Sequence, residues 1–139
     1  MLAKYNIYQI NVRDINEHKD EMEKLLIDVT LANFSNPIRE YTQEEVETLF
    51  ANTYDGYIEI EDKDYEKSVN NRIDTALEEL FTKFNLDNRP TGKYARSLST
   101  GDVIALKAVN QKETYYYRVD IIGYTEIHND FSKCKKIRE

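Results

Sequence analysis

Tryptophan is absent from this sequence, cysteine occurs once, proline and histidine twice each and glycine four times. A single cysteine, Cys134, cannot close an internal disulfide, which excludes a bridged secreted scaffold and fits a reducing compartment. Four glycines leave little material for a phosphate cradle. No P-loop, Gly-rich dinucleotide turn, Cys-x-x-Cys pair or Ser/His/Asp order is present, so an ordinary enzyme is not expected. His18 and His128 lie far apart and in no metal-like spacing with Cys134; both read as surface residues, and neither a metal nor a cofactor is expected. No apolar run approaches the roughly 20 residues of a membrane span. Met1-Leu2-Ala3-Lys4 leads straight into an alternating segment, with no leader core, so the expectation is a cytoplasmic protein that does not engage membranes.

What is abundant is charge and tyrosine. Net charge is −7, and Tyr numbers 11. Residues 13–90 hold 20 Asp and Glu against 9 Lys and Arg, a local net of −11; residues 91–139 hold 6 against 9, a net of +3. A negative field repels nucleic-acid backbones and attracts basic surfaces, so a basic macromolecule is the expected partner and direct DNA binding is not expected.

Size predicts one domain of 139 residues. Periodicity predicts the α+β class, with amphipathic helices packed on a mainly antiparallel sheet. The chain divides into an acidic strand-and-helix part (1–90), a β part (91–130) and a basic, mobile tail (131–139). Lys4 to Val12 alternates as a strand, with Tyr5 and Ile7 out of phase with Tyr8, Ile10 and Val12, which predicts a bulge or a strand covered on both faces. Met22, Leu25, Leu26, Val29 and Ala32 recur at helical spacing behind capping residues Asp14 and Asn16. Ser35-Asn36-Pro37 breaks that helix. Thr42-Gln43-Glu44-Glu45 is a capping box opening a short helix with Val46, Leu49 and Phe50. Asp55-Gly56 reads as a turn into a strand at Tyr57–Glu61. Tyr65 to Phe84 keeps the helical period throughout, Arg89-Pro90-Thr91-Gly92 is a linker, and 103–109, 114–122 and 123–127 read as strands.

Three constellations could carry function. Asp55, Glu59, Glu61, Asp62, Asp64 and Glu66, interleaved with tyrosines, put carboxylates about 6.6 Å apart along one strand face. Such a ladder suits docking to a Lys/Arg-rich surface, and it equally suits a solvated face. The contact candidates are Tyr57, Glu59, Glu61, Asp62, Asp64 and Tyr65. The same stretch offers Asp55 with Glu61-Asp62-Lys63, the loose Asp…Glu-x-Lys pattern of metal-dependent nucleases, where carboxylates hold a divalent ion and a lysine activates water. Its surroundings are the most acidic in the chain, which opposes a nucleic-acid substrate. Ser99-Thr100-Gly101-Asp102 is a turn delivering the chain into a buried strand; Arg96, Ser97 and Ser99 either brace it or face a ligand, and bracing is expected.

Arg96-Ser97-Leu98-Ser99-x-Gly101-Asp102-Val103-Ile104, followed by Tyr115-Tyr116-Tyr117-Arg118-Val119-Asp120 and Gly123-Tyr124, resembles the YodL-like domain. Lys4-Tyr5-Asn6-Ile7-Tyr8-Gln9-Ile10 is similar to the opening strand of such proteins. Thr100 stands where the family usually has a longer aliphatic or aromatic residue. The resemblance carries no catalytic residues, and it implies a setting on plasmids, conjugative elements or phages of Gram-positive bacteria. Small acidic proteins of that setting are often inhibitors of host defence. The expected function is therefore inhibition of a host-defence nuclease, a type II CRISPR effector above all, whose basic nucleic-acid channels would attract this surface. The alternatives are a non-inhibitory accessory module of a conjugative element and a metal-dependent nuclease acting on guide RNA.

Overall fold

A computed structural model describes residues 2–11, 19–34, 39–60, 69–85, 97–121 and 123–137. Six strands form one sheet: β1 (Leu2–Ile10), β2 (Phe50–Glu59), β3 (Val103–Ala108), β4 (Tyr115–Val119), β5 (Tyr124–Ile127) and β6 (Lys135–Lys136). Their order is β5-β4-β3-β1-β2-β6, antiparallel throughout except that β6 runs parallel to β2. The described helices are α1 (Lys19–Ala32), α2 (Gln43–Leu49) and α3 (Val69–Phe84). The architecture is α+β, as the periodicity predicts.

β1 sits mid-sheet, covered along its length on one face and at Tyr8 on the other. Ala3, Tyr5 and Ile7 join Ile104, Leu106, Tyr117 and Val119 in a core closed by Leu77, Leu80 and Phe84 of α3. Tyr8 turns the other way, with Phe50, Val103, Ala105 and Ile127, toward Val29 and Ala32 of α1 and Val46 and Leu49 of α2. The out-of-phase Tyr5 and Ile7 thus reflect a strand read from two sides. The bulge exists as well, on the partner strand: Ile7 pairs with Tyr54 and Tyr8 with Asn52, leaving Thr53 as the extra residue.

The capping box forms as read. Thr42 accepts from the Glu45 amide (3.1 Å) and Glu45 accepts from the Thr42 amide (2.7 Å). Phe50 does not extend that helix. It leaves at extended angles (φ −94°, ψ 147°) while its N–H still bonds the Val46 carbonyl, so the helix passes directly into β2.

Asp55-Gly56 is not a turn. Both residues lie inside β2, opposite Asn6 and Tyr5 of β1. Gly56 is there because the Tyr5 ring lies across the strand: a Cβ at 56 would stand 2.7 Å from the Tyr5 hydroxyl. A strand glycine covered by a cross-strand aromatic and a turn glycine look alike in a sequence.

The C-terminal segment also departs from expectation. Phe131 and Cys134 are buried, Lys135 and Lys136 pair with Ala51 and Asn52, and the Ile137 N–H donates to the Asn52 carbonyl (2.9 Å). Apolar anchoring at 131 and 134 holds in place what its lysines make look like a mobile tail. Val12, Asp14, Asn16, His18, Ser35-Asn36-Pro37, the linker at 89–92, Arg96 and Arg138 lie outside the described residues. No described helix is long and apolar enough to cross a membrane.

Candidate functional site on the open half of the sheet

Among the described residues, the sheet face that receives α1 and α2 is covered around Tyr8, Phe50 and Val103. Farther along, cross-strand registers set out two rows of polar side chains. Lys107, Lys4 and Tyr57 stand side by side on β3, β1 and β2, and Ala105, Asn6 and Asp55 form the next row. Glu59, opposite Leu2, completes this half. Tyr57 is 59% exposed and Glu59 is exposed, whereas Ile60 is buried and Ile58 packs on the opposite core. The alternation read over Tyr57–Glu61 therefore holds for its described part.

Of the six contact candidates, Tyr57 and Glu59 share this face, and Glu61, Asp62, Asp64 and Tyr65 lie outside the described residues. Asp55 of the nuclease-like pattern is on the same strand; Glu61 and Lys63 lie outside. One continuous acidic surface is not what the described residues form. Glu44 and Glu47 lie on α2 and Glu78 and Glu79 on α3, helices on opposite faces of the sheet. Other carboxylates are engaged internally. Arg39 grips both oxygens of Glu45 (3.0 and 3.1 Å), and Glu40 accepts from the His128 amide (3.0 Å) and pairs with its ring nitrogen (2.9 Å). Glu45 titrates below the usual carboxylate range: burial pushes it up, but Arg39 and Thr42 outweigh that. Charge counted along a chain does not say which side of a sheet it occupies.

The Ser97–Asp102 segment turns inward. Leu98 is buried in the α3-side core. The Asp102 carboxylate, 3% exposed, accepts from the Ser99 amide (2.9 Å) and from Gln9 Nε2 (3.0 Å). Gln9 also donates to the Ser97 carbonyl (3.3 Å) and accepts from Thr53 Oγ1 (2.9 Å), so the bulge residue of β2 is tied to the turn before β3. Gly101 has φ +95°, and a Cβ there would run into the Asn33 side chain. Its N–H bonds the Val119 carbonyl (2.8 Å), and its carbonyl accepts from the Tyr41 hydroxyl (2.9 Å). For Ser97, Ser99, Gly101 and Asp102 these contacts are internal bracing.

That bracing continues into the second half of the recognised pattern. Arg118, 1% exposed, donates through Nε to Asp120 (3.0 Å) and through Nη1 to the Arg39 carbonyl (2.7 Å), with its guanidinium 5.5 Å from the Tyr41 ring centroid. Asp120 also accepts from Thr125. The family profile of the YodL-like domain matches residues 4–131. The chain belongs to the YodL-like domain family. No curated protein and no solved structure matches it. The match takes in the acidic middle as well as the C-terminal pattern, so the YodL-like domain spans the three described helices and, from residue 4 of β1 onward, the first five strands. In this YodL-like domain the shared pattern maps onto the packed frame, and the open half of the sheet lies beside it.

Two features of the frame escaped sequence reading. Gln9 and Thr53 are nearly buried polar residues on strands, and only their meeting with Asp102 gives them a role. Cys134 is buried with its thiol against the Val46 carbonyl (3.5 Å), and burial, then Glu47 and Asp130, push it up to about 12. Alkylation by iodoacetamide at pH 8 is therefore expected to run about 10³-fold slower on the native protein than on the denatured chain, because only the thiolate reacts. Mass spectrometry of timed aliquots reads this directly; equal rates would show that Cys134 is reachable.

Proposed function

We propose that this YodL-like domain is a binding protein without chemistry of its own, and that its partner is a host-defence nuclease, most concretely a type II CRISPR effector. In this reading the Tyr57–Glu59 end of β2 docks on a basic nucleic-acid-binding surface of the effector. The observation that carries it is Tyr57, a large aromatic exposed to 59% with the Glu59 carboxylate two residues along on the same face. An exposed tyrosine gives contact area at low entropic cost, and the neighbouring carboxylate selects basic partners. Net charge of −7 adds long-range attraction to such a partner. The same surface also suits an accessory module of a conjugative element that binds without inhibiting.

Glu59→Lys combined with Glu61→Lys is expected to weaken capture of a purified type II effector by at least about 30-fold, roughly 2 kcal/mol. The unfolding midpoint is expected to hold. Binding by the native chain should weaken as salt rises, since the attraction is screened. Unchanged affinity removes these carboxylates from the interface. Capture without loss of the effector's cleavage activity assigns the accessory role.

A further inference from the structure

α1 carries apolar residues on two sides. Val29 and Ala32 are buried toward the sheet, with Met22, Leu25 and Leu26 packed beside them. Ile27, Leu31 and Phe34 face away from that core and are 52%, 64% and 64% exposed. Spacings of four and three residues put these three in one row. The Asn33 and Phe34 amides bond the Val29 and Leu31 carbonyls (3.3 and 3.1 Å), so the helical path runs on to Phe34. A surface helix ordinarily turns polar residues outward. Single exposed apolar residues are ordinary, but a contiguous row of them makes a contact surface. Beside Leu31 a groove of about 420 Å³ opens between α1 and residues 39–45, lined by Asp28, Leu31, Ala32, Arg39, Thr42 and Glu45.

Charge on this side of α1 has a sign. Asp20, Glu23 and Lys24 stand seven, four and three residues before Ile27, and Asp28 stands three before Leu31, so all four share the side of the apolar row. None of the three carboxylates is in an ion pair among the described residues. Arg39, the cation of the groove, is held by both oxygens of Glu45 (3.0 and 3.1 Å). Carboxylates thus outnumber free cations around an apolar row. We propose that this face of α1 docks a basic amphipathic helix, with the partner's apolar residues along Ile27, Leu31 and Phe34 and its lysines or arginines over Asp20, Glu23 and Asp28. A row built on spacings of three and four is the ridge that a second helix receives in its grooves. From Asp20 to Phe34 the surface is about 21 Å long, which about four turns of partner helix cover. Charge opposes two other occupants. A second copy would bring the same carboxylates and another net charge of −7, and an anionic lipid surface would be repelled. The surface is separate from the Tyr57–Glu59 end of β2 and does not rest on the partner proposed for it.

The test titrates the full chain into three fluorescein-labelled synthetic peptides of about four helical turns each and reads anisotropy. The first has leucines at helical spacing with lysines between them, the second has the same composition scrambled so that no stripe forms, and the third keeps the leucine pattern with glutamates for lysines. The expected result is saturable binding of the first with Kd below about 100 µM. The other two should bind at least about tenfold more weakly, and affinity for the first should fall as salt rises. Ile27→Gln with Leu31→Gln should weaken the first peptide at least about 30-fold, and Asp20→Asn with Glu23→Gln at least about fivefold. The unfolding midpoint should hold in both variants, since these four side chains are exposed. Glu59→Gln, on β2, should change the affinity by less than about twofold. Loss on Glu59→Gln with none in the Ile27 and Leu31 variant places the peptide on β2 and overturns the proposal. Equal binding of the scrambled peptide overturns it too, since charge alone would then suffice, and equal binding of the glutamate peptide overturns the choice of a basic partner. Failure of the first peptide to bind overturns the docking of a basic helix; a dimer in sedimentation that Ile27→Gln with Leu31→Gln dissolves would then give the face to a second copy.

Discussion

Replacing Arg118 by methionine is expected to lower the free energy of unfolding by about 3–5 kcal/mol, because it removes one partner of a buried charge pair and leaves the other behind. The guanidinium joins β4 to Asp120 through Nε and to the segment before α2 through the Arg39 carbonyl, 79 residues away in the chain. Methionine fills similar volume and restores neither bond. Asp120, 10% exposed in its side chain, keeps Thr125 but loses its cation, and the Arg39 carbonyl loses its donor. Lysine at 118 retains the charge but not the fork that reaches two acceptors in different directions, so Arg118→Lys should recover only part of the loss. Urea unfolding checks this: the midpoint should fall with an unchanged slope, the signature of lost stability in an otherwise similar fold. For a domain whose total stability is about 5–15 kcal/mol, the effect is a large fraction. Full recovery with lysine would show that charge, and not the fork, is what the site needs.

Much of the frame is legible in the order of residues. Helical spacing from Met22 to Ala32 and from Ala76 to Phe84 marks the faces that are buried, and Thr42 with Glu45 marks a helix start to the residue. These signals are local: each depends on contacts within one or two turns. Gly56 shows the opposite case. Its neighbours Asp55 and Tyr57 make a plausible turn, yet the reason for glycine is the ring of Tyr5, 51 positions earlier. β6 is two residues long and pairs with a strand 84 positions away, so nothing in its own composition announces it.

The open half of the sheet was less legible for the same reason. Glu59 and Tyr57 read correctly as neighbours two residues apart, but Lys4 and Lys107 become neighbours only through the β1–β3 register. An acidic count over 13–90 hides Lys4 and Lys107, which lie outside that window, and merges carboxylates from helices on opposite faces. Of Arg96, Ser97 and Ser99, expected to brace the turn, Arg96 lies outside the described residues, while the Ser97 carbonyl accepts from Gln9 and the Ser99 amide donates to Asp102. Their remote partners, Gln9 and Thr53, carry no sequence signal.

Those remote partners supply the second large effect. Asp102→Ala is expected to cost about 2–4 kcal/mol, because the buried Gln9 Nε2 and the part-buried Ser99 amide lose the same carboxylate oxygen, at about 1–3 kcal/mol for a buried donor left unmatched and less for one that water can reach. Asp102→Asn keeps an oxygen acceptor in similar shape and gives up the charge, so it should cost less than half as much. The decisive measurement is a double-mutant cycle. Gln9→Leu alone leaves Thr53 with only the more distant Ile7 carbonyl (3.5 Å) as acceptor and takes one of its donors from Asp102, which keeps the Ser99 amide. Once Asp102 is already alanine, the same replacement removes a side chain that has lost its main partner, so the two losses should fall short of additivity by about 1–3 kcal/mol. Pulse proteolysis or urea unfolding of the four proteins gives each corner of the cycle. Additive losses would mean that Gln9 and Asp102 act separately, and that the turn before β3 is held by its own residues with no help from β1.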